Sequence, residues 1–181
     1  GKGGHARILG RFANGEIDIL AGTQMLAKGH DYPGVTLVGV INADAATTQP
    51  EFRAAERAFH LLVQVAGRAG RGDRPGTVIV QTRDTGHPAI VHALRHDVES
   101  FVVHELAERK DLGYPPYARL ALLRVDGVDE GRARAEAERL AAVAKRSARV
   151  RAGDVDVLGP APAPLARLRG RFRFRVMLRA K

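Results

Sequence analysis

Along the 181 residues the apolar positions change their period, and each change marks an element. In ARILGRFANG (residues 6–15) they recur at helical spacing and stop at Asn14-Gly15, a helix C-cap signal. Ile17 to Ala21 reads as a short buried strand. VTLVGVI (Val35–Ile41) is continuously apolar, as strands of a parallel sheet are. QPEFRAAERAFHLLVQVAG then predicts a long helix, with Phe52, Ala55, Phe59, Leu62 and Val63 on one stripe and Pro50 suited to its first turn. GTVIVQ (Gly76–Gln81) is a third strand. This alternation of strand and helix predicts an α/β fold, a parallel sheet covered by helices.

After Thr82 the character changes. HPAIVHALRHDVESFVVHELAERKDLG reads as one or two helices ended by Gly113 and the turn Tyr114-Pro115-Pro116. Ala118 to Val125 is a strand. GRARAEAERLAAVAKRS is an Ala-rich helix, with Leu140 and Val143 expected to supply most of its apolar bulk. Asp154 to Leu158 is strand-like, GPAPAP a proline loop, and RLRGRFRFRVML a final strand. This half is expected to be a separate, smaller α+β domain. The boundary falls near residues 83–88, giving domains 1–85 and 86–181.

Composition narrows the classes. A hydrophobic content of 45% supports a packed core. No apolar run approaches the roughly 18 residues of a membrane span, and no signal peptide opens the chain, so a cytoplasmic setting is expected. The lack of an initiator Met suggests a piece of a longer chain. Without cysteine, neither a disulfide framework nor a thiolate zinc site is available within these residues. The net charge of +9 is unevenly placed: residues 86–181 carry 19 basic and 12 acidic side chains, residues 1–85 carry 10 and 8. A polyanionic partner for the second half is the natural reading, the alternative being a genomic bias toward arginine (24 Arg against 5 Lys).

Two stretches carry candidate chemistry. In the last strand Arg167, Arg169, Arg171, Arg173 and Arg175 alternate with Leu168, Gly170, Phe172, Phe174 and Val176. A single extended strand would set all five guanidinium groups on one face, roughly 7 Å apart, a spacing suited to successive phosphates. The alternative is a solvated face that discourages edge pairing. The phenylalanines, on the apolar side, are expected in the core. The other stretch is QVAGRAGR, in which glycines flank Arg68 and Arg71 after a long helix. Arginines so placed can reach across a cleft toward a nucleotide phosphate. Upstream, GTQMLAKGHDYPGVTLV (residues 22–38) ends a strand with Thr23-Gln24 and continues through Lys28-Gly29-His30-Asp31 into the next strand. Loops at the carboxyl ends of parallel strands are where such sheets bind ligands, so both stretches are expected there. No G-x-x-x-x-G-K-[ST] phosphate loop occurs anywhere.

T-Q-M-L-A-K-G-x-D-x-P-x-V-x-L-V followed by Q-x-x-G-R-x-G-R resembles motifs V and VI of superfamily 2 helicases. PEFRAAERAFHLLVQVAGRAGRGDRPGTVIVQT, ELAERKDLGYPPYARLALLRV and VLGPAPAPLARLRGRFRFRVML resemble one family in particular, the primosomal replication-restart helicases PriA (primosomal protein N′). The resemblance covers essentially the whole chain. It implies a partial second RecA-like helicase lobe with a parallel sheet, then a basic α+β C-terminal domain. It further implies an ATP-dependent 3′-to-5′ DNA helicase that recognises stalled or branched forks and restarts replication. ATP and Mg²⁺ would be held mainly by a first lobe outside these residues, and zinc by a cysteine-rich insertion upstream. Arg68 and Arg71 match the arginine-finger positions; Gln64, Gly29 and Asp31 match nucleotide-contacting positions. Thr23 and Gln24 match phosphate contacts to DNA, and Lys28 is either such a contact or surface solvation. One departure is Gln64, where many superfamily 2 members open motif VI with His. Single-stranded and forked DNA, single-stranded-DNA-binding protein and other primosome proteins are the implied partners, with the protein a monomer. On its own the fragment is not expected to hydrolyse ATP. Two other readings stand beside this one: a DNA-binding scaffold of the same family with a decayed ATPase, and an RNA-binding second domain.

Other conspicuous residues have plainer explanations. His87, His92, His96 and His104 lie in a helical region, but only His92 and His96 are four apart, and no metal is expected. His60 is expected to be structural. Asp44 is expected to be a loop residue, the alternative being a switch between nucleotide and DNA. Tyr114-Pro115-Pro116-Tyr117 reads as a rigid connection and not as a polyproline ligand.

Overall fold

The computed structural model describes residues 2–23, 32, 34–67, 69 and 75–180, with nothing said of the side chains of Lys2, Gly3 and His5. The chain forms two compact units, Gly1–Val103 and His104–Lys181. The sequence placed the boundary at residues 85/86. It falls later because the helices after Thr82 pack back onto the first unit, as described next.

In the first unit, α1 (Lys2–Ala13) ends as its sequence predicts. Gly15 takes φ 74°, its N–H donates to Phe12 O at 3.1 Å, and Glu16 N–H donates to Arg11 O at 2.9 Å. Those paired bonds satisfy the last carbonyls of the helix in a Schellman arrangement. The expected strand Ile17–Ala21 is absent: the segment is irregular, with Ile19 exposed. A strand exists only beside a hydrogen-bonded neighbour, and none flanks it among the described residues. β1 (Leu37–Val40) and β2 (Thr77–Val80) do pair, in parallel, with Leu37 opposite Thr77 and Val40 opposite Val80. Between them run α2 (Asp44–Thr47) and α3 (Ala54–Ala66). Pro50 lies in the turn before α3 and not in its first turn. α4 (Pro88–Leu94) and the first turn of α5 (Val98–Leu112) add Ile90 and Phe101 to a core of Ala43, Ala58, Phe59 and Leu62. Phe59 and Phe101 stack in parallel with centroids 4.1 Å apart, which ties residues beyond Thr82 to this unit. The predicted stripe holds, with Phe59 and Leu62 buried and Phe52, Ala55 and Val63 half-buried.

In the second unit, β3 (Arg119–Gly127), β4 (Val155–Leu168) and β5 (Arg171–Ala180) form an antiparallel sheet in the order β3-β5-β4. α6 (Glu130–Lys145) and the single-turn α7 (Ala148–Arg151) connect β3 to β4. Asp129 caps α6, accepting from Arg132 N–H at 2.7 Å. α6 buries Ala133, Ala137 and Ala141 against Phe174 and Val176. This corrects the expectation for Leu140 and Val143: Val143 is exposed and Leu140 only half-buried. Small residues four apart let the helix approach the sheet closely, so the methyls face the aromatic core.

The proline loop is also corrected. GPAPAP lies inside β4, whose pairing with β5 shifts register between Leu158 and Ala161 and again between Pro162 and Arg167. Prolines lack an N–H, and β4 is an edge strand that can do without some of them. Gly159 is needed where it stands. Its φ is 96°, and a Cβ would sit 3.0 Å from the Arg175 carbonyl oxygen.

Candidate nucleic-acid and nucleotide sites

At the carboxyl ends of β1 and β2 the chain is tied across by polar bonds. Asp44 accepts from the Thr82 hydroxyl at 2.9 Å and from Arg83 N–H at 3.1 Å. Asn42 N–H donates to Gln81 Oε1 at 3.2 Å, and Ala43 N–H to Gln81 O at 2.9 Å. The Thr82 hydroxyl, then the Arg83 N–H, hold the Asp44 carboxyl below the usual carboxylate range. Asp44 is the first residue of α2 and not the loop residue expected, and its carboxylate ties that helix to the end of β2.

α3 ends at Ala66 and β2 begins at Thr77. The expectation of a site at the carboxyl ends falls, for this stretch, on residues 68 and 70–74, outside the described residues. Gly67 closes α3 with φ −70°, its N–H donating to Val63 O at 3.0 Å. It occupies ordinary right-handed space, and the sharp turn expected of it does not occur at this residue. Gln64 is exposed on the last turn of α3, and Thr23 is exposed. Arg68, Arg71, Gln24, Lys28, Gly29 and Asp31 lie outside the described residues.

The arginines of the second unit are described, and their arrangement differs from a five-membered row. Arg169 (φ 49°) and Gly170 (φ 77°) form the two-residue turn joining β4 to β5. Two positive φ values are what a type I′ hairpin turn demands. The alternation is broken there. Arg167 pairs with Phe172, and its guanidinium lies 5.1 Å from the centroid of that ring. It therefore belongs to the Phe172 side of the sheet, away from Arg171, Arg173 and Arg175.

What remains is a tighter group. Directly opposite residues share a sheet face, so Arg175 faces Arg124 of β3, and Arg173 faces Asp126. Asp126 is already engaged by Arg171, which donates from Nε to its carboxylate at 2.6 Å and from a terminal nitrogen to its carbonyl at 3.0 Å. The Arg171 hydrogen bond, then its charge, and behind these Arg124 and Arg173, hold the Asp126 carboxyl below the usual range. No ion pair is recorded for Arg124, Arg173 or Arg175 among the described residues. Like charges directly opposite on neighbouring strands are destabilising. Arg124, Arg173 and Arg175 thus share one face with a single carboxylate, Asp126, which is hydrogen-bonded to Arg171. Arg124 was missed in the sequence. Its signal was a cation closing the apolar run Leu120–Leu123, and only the β3–β5 register shows its partner.

The histidines do not converge. His87 caps α4, its Nδ1 accepting from Ala89 N–H at 3.2 Å. His96 takes φ 53° where α4 ends, with bonds from His96 N–H to Ala93 O and from Asp97 N–H to His92 O. His92 lies 3.6 Å from the Asp97 carboxylate. Among the described residues no group of three or more His, Cys, Asp or Glu side chains could hold a metal, and no helix is long and apolar enough to cross a membrane.

The described residues thus form a helix-covered parallel pair and a separate antiparallel α+β unit, the fold class expected from the sequence. Residues 2–73 match the helicase conserved C-terminal domain, and residues 110–181 match the primosomal protein N C-terminal domain. The chain is 46% identical over 159 residues to the replication restart protein PriA of Bacillus subtilis, covering 88% of this chain and 19% of that protein. It is 45% identical over 180 residues to PriA of Treponema pallidum, covering 99% of this chain and 27% of that protein. PriA of Synechocystis is 44% identical over 159 residues. The chain belongs to the PriA family of replication restart proteins, and spans about a fifth to a quarter of the length of these relatives.

Proposed function

We propose that this chain is the part of an ATP-dependent DNA helicase that completes the nucleotide site and grips DNA. In this reading the first unit supplies Arg68 and Arg71 to a triphosphate whose phosphate loop and Mg²⁺ ligands lie on another lobe of the longer protein. Positive charge there stabilises the γ-phosphoryl as it transfers. Gln64, Gly29 and Asp31 contact the nucleotide, and Thr23, Gln24 and Lys28 contact DNA phosphates. The exposure of Gln64 and Thr23 fits such contacts, and the absence of a phosphate loop agrees with a nucleotide gripped elsewhere. The second unit holds the DNA backbone. The observation that carries this part is the sheet face where Arg124 opposes Arg175 beside Arg173, with one carboxylate, Asp126, among four arginines counting Arg171. The longer protein unwinds DNA 3′ to 5′ at stalled forks in the cytoplasm, binds zinc upstream, and works with single-stranded-DNA-binding protein and other primosome proteins.

Two measurements test the reading. In the longer protein, Arg71→Ala is expected to lower DNA-stimulated ATP hydrolysis by roughly three to five orders of magnitude while DNA binding stays near normal. Retained turnover would remove the finger assignment and leave the scaffold reading. In this chain, Arg124, Arg173 and Arg175 changed together to Ala should weaken single-stranded DNA binding. The slope of log affinity against log salt should flatten by about 2, at roughly 0.7 per phosphate contact. An unchanged slope places the face in solvent.

A further inference from the structure

The corner between α6 and α7 carries a second cationic group that the sheet face does not include. Lys145 is the last residue of α6, Arg146 its cap, and Arg149 and Arg151 sit on α7. All four are exposed, and none has an ion-pair partner among the described residues. Other arginines of the unit do have carboxylate partners: Arg134 pairs with Glu130, Arg139 with Glu136, Arg171 with Asp126, and Arg179 with Asp156. No carboxylate occurs in the sequence between Glu138 and Asp154, so the corner has no local counter-charge. A depression of about 400 Å³ beside it is lined by Lys145, Val150, Val155, Leu158, Asp156 and Arg179. Its one carboxylate is already taken by Arg179 at 2.9 Å.

The backbone that presents these cations is fixed at both ends. Ser147 caps α7, accepting from Val150 N–H at 3.4 Å. Gly153, at φ 80°, closes it with bonds from Gly153 N–H to Val150 O and from Asp154 N–H to Arg149 O. A cation at the end of a helix stabilises that end by about 0.3–1 kcal/mol, which accounts for Lys145. A helix of four residues has little dipole to complement, so Arg149 and Arg151 are not explained that way.

We propose that Lys145, Arg146, Arg149 and Arg151 form a second phosphodiester-backbone site, distinct from the Arg124–Arg173–Arg175 face. The proposal rests on the nucleic-acid reading of this unit for the class of its ligand. Repeated charge on a fixed backbone suits a chain of phosphates, and an acidic peptide is the competing ligand in the test.

The test uses the full 181-residue chain, a short single strand of DNA, its duplex, and a polyglutamate peptide of matched charge. Changing all four cations to Ala should flatten the salt slope on the single strand by about 2 to 3, and more on the duplex, where each contact counts about 0.9. A charge-matched control, Arg53, Arg95, Lys110 and Arg132 to Ala, should leave the slope within error. An equal loss in the control, or no loss in the corner variant, overturns the site. Polyglutamate bound as tightly as DNA, and released by the same variant, overturns the nucleic-acid assignment. If the Ala variant loses the amide spectrum of β4 and β5, the Gln version of the four replaces it under the same criteria. A flat result for Arg124, Arg173 and Arg175 alongside a reduced slope for the corner would sink the sheet-face reading alone.

Discussion

The parallel pair β1–β2 and the antiparallel sheet β3-β5-β4 each pack one face against helices, and their opposite faces are unlike. Among the described residues of the first unit that face presents Leu37 and Ile79, which are 60% and 57% exposed, with Ile41 just past β1. In the second it presents Arg124, Arg173 and Arg175, with Leu122 and Leu158 further along. The covered faces obey one rule, apolar side chains against helix. The uncovered faces differ in what would lower their free energy. Exposed aliphatic surface gains about 25 cal/mol for each Å² removed from water, whatever removes it. Opposed guanidinium groups gain only from anions, and from a polyanion more than from scattered salt. A sheet with one bare face thus announces the chemistry of its neighbour through the side chains left there.

The comparison can be broken most sharply from inside. Phe59 is 2% exposed and stacks on Phe101, so Phe59→Ala is expected to cost the first unit about 3–5 kcal/mol. Thermal or denaturant unfolding followed by amide protection should show β1 and β2 lost first, with β3, β4 and β5 still protected. Simultaneous loss in both sheets would mean that the units do not behave as separate cores. The matching change in the second unit is Ala137→Leu. Ala137 is fully buried beneath Phe174 and Val176, and overpacking there should cost about 1–3 kcal/mol. The same protection measurement should now show the reverse order. A tolerated leucine would contradict the close approach of α6 to the sheet.

Local signals and long-range pairings account for what the sequence could and could not disclose. The Asn14-Gly15 stop, the VTLVGVI and GTVIVQ strands and the Phe59–Leu62 stripe are set by nearest neighbours along the chain, and they were legible. Ile17–Ala21 has the composition of a strand, yet pairing decides strands, and composition is silent about it. RLRGRFRFRVML shows perfect alternation on paper. One Arg-Gly dipeptide with both φ values positive converts it into a hairpin and sends Arg167 to the other side. The glycine was a visible warning, since Gly within a strand pattern often marks a turn or bulge. Arg124 could be found only through a register joining residues 51 apart, from Arg124 to Arg175. At the candidate site, then, the residue types and their cationic character were readable, and the grouping was not.

The smallest expected effect concerns the one carboxylate within the arginine face. Asp126 has its folded-state pKa depressed, first by the Arg171 hydrogen bond and then by the charge of Arg171. A depressed pKa means that its contribution to stability is present above the unfolded value, near 3.9, and is lost as pH falls through the lower folded value. Asp126→Asn should therefore lower the melting temperature of the second unit slightly at pH 7 and remove part of the stability lost on acidification below about pH 4. The same change adds one net positive charge beside Arg124, Arg173 and Arg175. It frees Arg171 as well, so polyanion binding should tighten and its salt slope steepen by about 0.7, one further phosphate contact on a single strand. Stability and binding thus move in opposite directions only if this face is a polyanion site held partly in check by its own carboxylate. A variant that loses stability without gaining affinity would show Arg171 and Asp126 to be a hairpin fastening and nothing more.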